Sequence, residues 1–577
     1  MRRLISIVVV GFWTMGMFAV PAKREWQIRT QPDGSTIEIM LVGDEYYHYM
    51  INRDGQQVRQ NTEGWYEIAG EAPTAEQASK RRAKNQARRQ RQEIGLKPNL
   101  APKGVVILAN FKDSEFKSYH KQPVFDSLCN ALNCKVNDGH PSAAQYFADQ
   151  SNGTYRPIFD VFGPVDLSRK TAYYGTDNPG EDEGDDQHAA DAVVEACRLA
   201  NQQFTINWAD YDSDEDGYVD FVYLIYAGKG QADGGDVTTI WPHNWYISSA
   251  RQLGYCTYTQ AQCVLGGKEI DNYACSAELS GSLLGGIGTL CHEFSHVLGL
   301  PDLYDTSYKD NYKKSLTPNT WNIMDQGSYN GNGHCPPNYD PWEKSFFGWT
   351  ESVNIGVAGR VVENMKANGE EGYKTYQINY RGEPQGALES GVCYYLENRQ
   401  QEGWDSFVPG HGLLVWRVNY SQDIWTANTP NHTETPGSPL YTVVSASGTE
   451  IGRSSTGGKN TFPGEDQVDN VTLIEDRPIT DIIEENGMIS FVYVHPYTEY
   501  EVHWIVEEDT IETQKYSIEG TDDLELPDAP FDACEDTRFI GWTTQESWCD
   551  PFRKPDDLFT KPKGQVRGPQ AYHAVFE

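Results

Sequence analysis

The chain is short of what several large function classes need. Positive charge is scarce, with 47 Lys plus Arg against 83 Asp plus Glu and a net charge of −36. An acidic surface repels phosphate backbones and anionic headgroups, which argues against nucleic acid or an anionic membrane as the main partner. A solvated acidic surface that keeps an exported protein soluble accounts for most of that charge. There is no Gly-x-Ser-x-Gly elbow and no phosphate-cradling glycine loop with lysine, so serine-hydrolase and nucleotide chemistry have no foothold. Four cysteines at zinc-ribbon spacing are absent, so a bound zinc would have to draw on histidine and carboxylate. Beyond the first residues there is no long apolar stretch.

That first stretch, "MRRLISIVVVGFWTMGMFAVPAK", begins with Arg2 and Arg3, runs on uncharged, and ends in small residues at Ala22. This is the pattern of a signal peptide, residues 1–22, and predicts a secreted chain, with attachment to a cell surface left open. An uncleaved anchor competes, because Leu4 to Val20 approaches the shortest apolar run that spans a bilayer. Cleavage after Ala22 leaves no stable membrane insertion. Eleven cysteines in an exported chain predict disulfides, with Cys129–Cys134, Cys256–Cys263 and Cys534–Cys549 the nearest pairs.

A length of 577 residues predicts two to four folded units. Residues 23–102 begin with Asp-Gly turns between alternating Ile, Val and Tyr runs, a small β-rich unit. They end in "TAEQASKRRAKNQARRQRQEIG", a helix-favouring segment with Thr74 as cap and the densest basic cluster of the chain. An exposed basic cluster is easily cut, so this unit reads as a removable propeptide, against the alternative of a permanent β domain. From Gly104, "GVVILANF", "SAAQYFADQSNGTY", "HAADAVVEACRLANQ" and "YVDFVYLIYAG" alternate strand and helix patterns, predicting a mixed α/β (α+β) domain over 103–360. "GVCYYLENRQ", "GHGLLVWRVNY" and "MISFVYVH" then predict a β-rich domain over 361–496, and "YEVHWIV" with "YHAVF" a small β module over 497–577.

The densest chemistry lies in "CHEFSHVLGLPDLYD", residues 291–305. At about 100° per residue, Ile287, Leu290, Phe294, Val297 and Leu298 form one apolar stripe. His292 and His296 fall nearly opposite, one turn apart, which lets two imidazoles converge on one ion. Glu293 between them can reach a water on that ion. Gly299 can take a left-handed backbone and Pro301 cannot continue a helix, so the chain turns sharply and can carry Asp302 back to the histidines. Three ligands with a fourth corner for water is the arrangement of a catalytic zinc. Glu293 would serve as general base and then acid in hydrolysing an amide. Asp305, His334, His411 and Glu343 remain competing third ligands. No cysteine precedes Cys129, so a metal-directed block by the propeptide would have to use a carboxylate or imidazole, with Asp33, Asp44 and His48 as candidates.

The run H-E-x-x-H-x-x-G-x-x-D resembles the elongated zinc motif of metzincin proteases, with aspartate where most members have a third histidine. "TWNIMDQGSYNG" looks like that clan's methionine turn, making Met324 the matching residue, a packing group and not a ligand. Several metzincins carry an oxyanion-assisting tyrosine two positions later, where this chain has Gln326. With "NWADYDSDEDGYVDFVYLIYAG", "SAAQYFADQSNGTYRPIFDVFGPV" and "YYLENRQQEGWD", the chain is similar to secreted metallopeptidases of the immune inhibitor A type over roughly residues 100–495. The resemblance implies a zincin-like catalytic domain, a zinc endopeptidase activity on protein or peptide substrates, and synthesis as a zymogen.

A second cation signal is "DYDSDEDGYVD", where Asp212, Asp214, Asp216, Gly217 and Asp220 match a calcium loop whose twelfth position is here Tyr223 instead of glutamate. Clustered carboxylates repel unless solvated or neutralised, which favours a calcium ion over a bare acidic turn. Two rival functions stay open: an exported adhesin using the zinc domain as a scaffold, and a hydrolase of non-protein amides.

Overall fold

A computed structural model describes residues 14–15, 21–82, 91–92, 102–177, 186–306, 317–448, 459–494, 499–506, 509–517, 526–527, 539–543 and 570–576, apart from single or paired positions at 24, 45–46, 62, 75, 357–358, 383 and 433–434. Most of the predicted signal peptide, residues 83–90 of the basic cluster, and Cys534 and Cys549 lie outside the described residues.

The N-terminal unit is an antiparallel five-stranded sheet in sequence order: β1 Gln27–Thr30, β2 Thr36–Gly43, β3 His48–Ile51, β4 Gln56–Gln60 and β5 Tyr66–Glu71. Thr74 caps the following helix, accepting from the Gln77 backbone while the Gln77 side chain accepts from Thr74. Arg82, expected on an exposed basic face, is instead buried and paired with the buried Asp44 at 2.6 Å. An unpaired buried charge is costly, so that guanidinium holds the helix on the sheet.

The central unit is built on β6 Lys103–Asn110, β7 Ile158–Asp166, β8 Val222–Lys229, β9 His243–Tyr246 and β10 Asn272–Ser280. Their spatial order is β9-β10-β8-β6-β7, parallel except for β9, which pairs antiparallel with β10 at the edge. Continuous apolar runs such as "GVVILA" suit strands covered on both faces. On one face Val106, Leu108, Tyr223 and Ile225 pack under the helices α1 Ala143–Gln150 and α3 Gly288–Val297. Their sequence neighbours Val105, Ile107, Val222 and Leu224 pack on the other face against α2 Ala189–Gln203. A helix α4, Pro341–Phe346, follows.

The next sheets comprise β11 Arg360–Met365, β12 Tyr376–Asn379, β13 Gly391–Arg399, β14 Gly412–Tyr420, β15 Tyr441–Val444, β16 Val471–Ile474, β17 Arg477–Glu485 and β18 Met488–Tyr493, with the short helix α5, Gln422–Thr426, after β14. Val353–Asn354 joins β12 to β15 in one sheet, and β11, β18, β17 and β16 form the other. Strand alternation again splits the side chains. Leu414, Trp416 and Val418 join the core that contains α1 and α3, while Leu413 and Val415 face Phe491 and Ile479 in a second core. One apolar core therefore runs across the predicted boundary at residue 360. The last module has its own small core of Val502, Trp504, Trp542 and Tyr572.

All nine described cysteines are buried free thiols, Cys129, Cys134, Cys256 and Cys263 included, so the two expected pairs within the described residues do not form. All but Cys134 pack within the apolar cores, and burial pushes the Cys129 and Cys256 thiols upward, the latter to about 12.

Candidate metal centre

The helix α3 carries the two histidines because its sequence is amphipathic about the expected stripe. Phe294 anchors the core face, with its ring centroid 5.1–5.2 Å from Phe147, Phe159 and Phe221. The opposite face is not open to water as its polarity suggests. His292, Glu293 and His296 are all buried, covered by the chain that returns after the helix. That return is the predicted reversal: Gly299 has φ +109°, its N–H donates to His296 O at 2.9 Å, and Leu300 N–H donates to Ser295 O at 3.0 Å.

The reversal delivers Asp302. His292 Nε2 and His296 Nε2 are 3.1 Å apart, and each lies 3.4 Å from Asp302 Oδ1. Four donors about 2.0–2.1 Å from one ion stand about 3.3–3.4 Å apart at the corners of a tetrahedron, so the trio has the span of a zinc site. The remaining nitrogens are committed elsewhere. His292 Nδ1–H donates to Ile323 O at 2.7 Å and His296 Nδ1–H to Leu300 O at 2.8 Å, which leaves both Nε2 lone pairs facing inward. Asp302 Oδ1 is fully buried and has no hydrogen-bond donor. A buried carboxylate oxygen aimed at two imidazole lone pairs is tolerable only with a cation between them. Burial drives His296 down to about 4 despite the pull of Asp302. Burial alone would raise the Asp302 carboxyl, but the adjacent rings of His296 and His292 hold it well below the usual range. A neutral His296 imidazole and an ionised Asp302 carboxylate are the protonation states a metal requires.

Residues 107–354 match the sequence profile described as "Immune inhibitor A peptidase M6, catalytic domain". This segment belongs to the peptidase M6 family.

The M6 domain is 28% identical over 223 residues to the pre-pro-metalloprotease PrtV of Vibrio cholerae, a match covering 36% of this chain and 23% of that protein. It is 28% identical over 221 residues to immune inhibitor A of Bacillus thuringiensis subsp. alesti, covering 35% of this chain and 31% of that protein. A putative secreted metallopeptidase of Arthroderma benhamiae matches at 24% over 224 residues, 34% of this chain and 30% of its own length. The chain thus spans between 23% and 31% of the length of these relatives.

Met324 is fully buried. Its N–H donates to Asn322 Oδ1 at 2.6 Å and its carbonyl accepts Leu303 N–H at 2.9 Å, so the methionine turn is stitched to the residue beside Asp302. Asn322 Nδ2 in turn donates to Asp340 Oδ2 at 3.0 Å and Glu343 Oε1 at 2.9 Å. Glu343, weighed as a third ligand, is thereby occupied in capping α4, and burial raises its carboxyl well above the usual range and that of Asp340 to about 6. His334 bonds Asn137 and His411 bonds Glu484, while Asp305 is buried outside the trio. Gln326, two positions after Met324, is buried in the same turn.

The acidic loop is a second cluster. Carboxylate oxygens of Asp212, Asp214 and Asp216 lie within 4.8 Å of one another. Asp220 is not part of that trio; its Oδ2 accepts the Ser213 N–H at 3.0 Å. Lys268 is ion-paired to Asp212 and supplies one neutralising charge within the protein.

Sequence reasoning missed the groups that orient Asp302. Its backbone N–H donates to Asn428 Oδ1 at 2.7 Å, and its Oδ2 accepts from Asn428 Nδ2 at 2.7 Å and Tyr304 Oη at 3.2 Å. Asn428 is 126 positions away in sequence, and "WTANTPNH" offers only turn chemistry as a signal.

The N-terminal unit docks on the M6 domain away from the trio. Of the three groups considered for a metal-directed block, Asp33 caps an exposed turn, Asp44 pairs with Arg82, and His48 stacks on Trp241 at 4.3 Å with Nε2 3.3 Å from Asp177 Oδ2. Arg29 donates to Gly234 O at 2.7 Å, Lys23 N–H to Ala232 O at 3.0 Å, and Tyr329 Oη to Pro21 O at 2.7 Å. Ala232 and Tyr329 both line a pocket that also borders Ser276, Ala277 and Thr289, the last one turn before His292 and Glu293 on α3.

Proposed function

We propose that this chain is a secreted zinc-dependent endopeptidase with His292, His296 and Asp302 as ligands and Glu293 as general base and acid. The observation that carries the reading is the convergence of two imidazole lone pairs and one donor-free carboxylate oxygen at tetrahedral spacing. When bound, zinc supplies Lewis-acid polarisation of a substrate carbonyl and an acidified water. Glu293 would accept a proton from an attacking water and return it to the departing amine nitrogen. Ile323 O and Leu300 O hold the two imidazoles in the required tautomer, and the strand order with an antiparallel edge strand β9 supports a zincin-like layout.

Residues 23–102 act as a propeptide. Support comes from Lys23, whose N–H donates to Ala232 O and whose ammonium pairs with Asp233, both residues lining the pocket beside α3, so the contact there is not made by a group aimed at the metal. Residues 1–22 serve as the export signal; among the described residues no helix is long and apolar enough to cross a membrane. A calcium ion at Asp212, Asp214 and Asp216 would have to displace Lys268.

The adhesin alternative predicts binding without cleavage, and a Glu293 retained beside the trio weighs against it. The deciding experiment is cleavage of an unfolded protein by the chain freed of its N-terminal unit, with and without a chelator. Metal-dependent proteolysis is expected; a zinc-loaded protein that cleaves no peptide bond would refute the assignment.

A further inference from the structure

We infer that Asn428, contributed by the β-rich region outside the matched residues 107–354, is the positioning residue for the third metal ligand, so that the metal centre is complete only with that region in place. The inference rests on the zinc reading above and extends it to a residue no ligand motif contains.

Asp302 has two carboxylate oxygens with different surroundings. Oδ2 receives Asn428 Nδ2–H and Tyr304 Oη–H, whereas Oδ1 receives no donor and faces His292 and His296. The amide orientation of Asn428 is set by chemistry, since its Oδ1 must accept the Asp302 N–H and its Nδ2–H is then left for Oδ2. These two bonds close a ring between the residues and fix the Asp302 carboxylate against both backbone shift and rotation. With Oδ2 saturated, Oδ1 is the oxygen left for a cation.

The geometry on the Asn428 side is equally committed. The residue is fully buried with φ +56°, a left-handed conformation that asparagine tolerates better than most side chains, and its N–H donates to Trp425 O at 3.0 Å where α5 ends. Three positions on, Asn431 Nδ2 donates to Leu303 O and to Tyr441 O, both at 2.7 Å, tying the same loop to β15. Asn431 thus clamps the backbone next to Asp302 without touching the carboxylate, which makes it a control for a purely structural role.

The test is zinc affinity of the full chain, measured by competition with a chelator, alongside thermal unfolding of the zinc-free protein. Asn428→Asp keeps size and backbone preference but sets a carboxylate against Asp302 Oδ2. It and Asn428→Gly should weaken zinc by about 10–100-fold, the usual effect of losing a group that orients a ligand. Asn431→Ser should lower thermal stability yet leave zinc affinity within about threefold. Wild-type zinc affinity in folded Asn428→Asp and Asn428→Gly would overturn the inference alone, as would an equal loss in Asn431→Ser. A wild-type chain that holds no zinc would overturn the zinc reading together with it.

Discussion

At the residue scale, the proposed centre would separate the groups that hold a metal from the group that moves a proton. Glu293 lies between the two histidines in sequence but outside the trio. Glu293→Ala should therefore retain zinc and lose peptide hydrolysis by about 10²-fold or more, as expected for removal of a general acid–base group. Zinc content and turnover of one preparation check both halves. Asp302→Ala leaves two imidazoles and removes the only charged ligand. It should release zinc at chelator concentrations the parent withstands, and undiminished zinc content would move the third bond to another residue.

At the scale of elements, the placement of α3 depends on two close approaches. A Cβ on Gly288 would stand 1.9 Å from Ser328 O, and one on Gly286 would stand 2.0 Å from Gly333 O, so the start of the helix lies directly on the segment that follows the methionine turn. Both obstacles are backbone and cannot swing away. Gly288→Ala should force the helix outward, costing about 1–3 kcal/mol as overpacking does. The same shift should pull His292 from Ile323 O, so weakened zinc binding should accompany the lowered unfolding temperature. Phe294→Ala works from the other side of the helix by emptying the space among three phenylalanine rings. Calorimetry of the zinc-free protein should show a loss of about 3–5 kcal/mol, with secondary structure by circular dichroism retained.

For the whole molecule, docking of the N-terminal unit carries a titratable group at its centre. Burial opposes charge on His48, but the charge and hydrogen bond of Asp177, helped by the Asp44 carbonyl, outweigh it and raise its pKa above the ordinary value. The neighbouring Gln231 and Trp241 are uncharged. A group whose docked pKa is raised favours docking fully below its free value, near 6.5, and loses that contribution as pH climbs through the docked value. In a preparation nicked within residues 83–100, the N-terminal unit should dissociate more readily at pH 8 than at pH 6. His48→Gln should flatten that dependence; an unchanged pH profile in the variant would remove His48 from the account.

Much of the centre was legible in the linear order of residues because its parts are local. His292, Glu293 and His296 are set by the helical repeat, and Gly299 with Pro301 forces the reversal that returns Asp302, all within fifteen positions. The continuous apolar run of "GVVILANF" and the cap at Thr74 are equally short-range, which is why they too could be read directly. Three features belong to tertiary structure alone. The cysteines stay free because each is buried by packing, whatever its nearest partner in sequence. Asp220 is not part of the acidic trio, and its carboxylate accepts a backbone N–H. Asn428 reaches Asp302 only because one apolar core joins the metal domain to the β-rich region, bringing together residues 126 positions apart. Periodicity and turn chemistry specify which side chains can share a helix face; contacts across a folded core carry no periodic signature, so their partners are decided only when the elements pack.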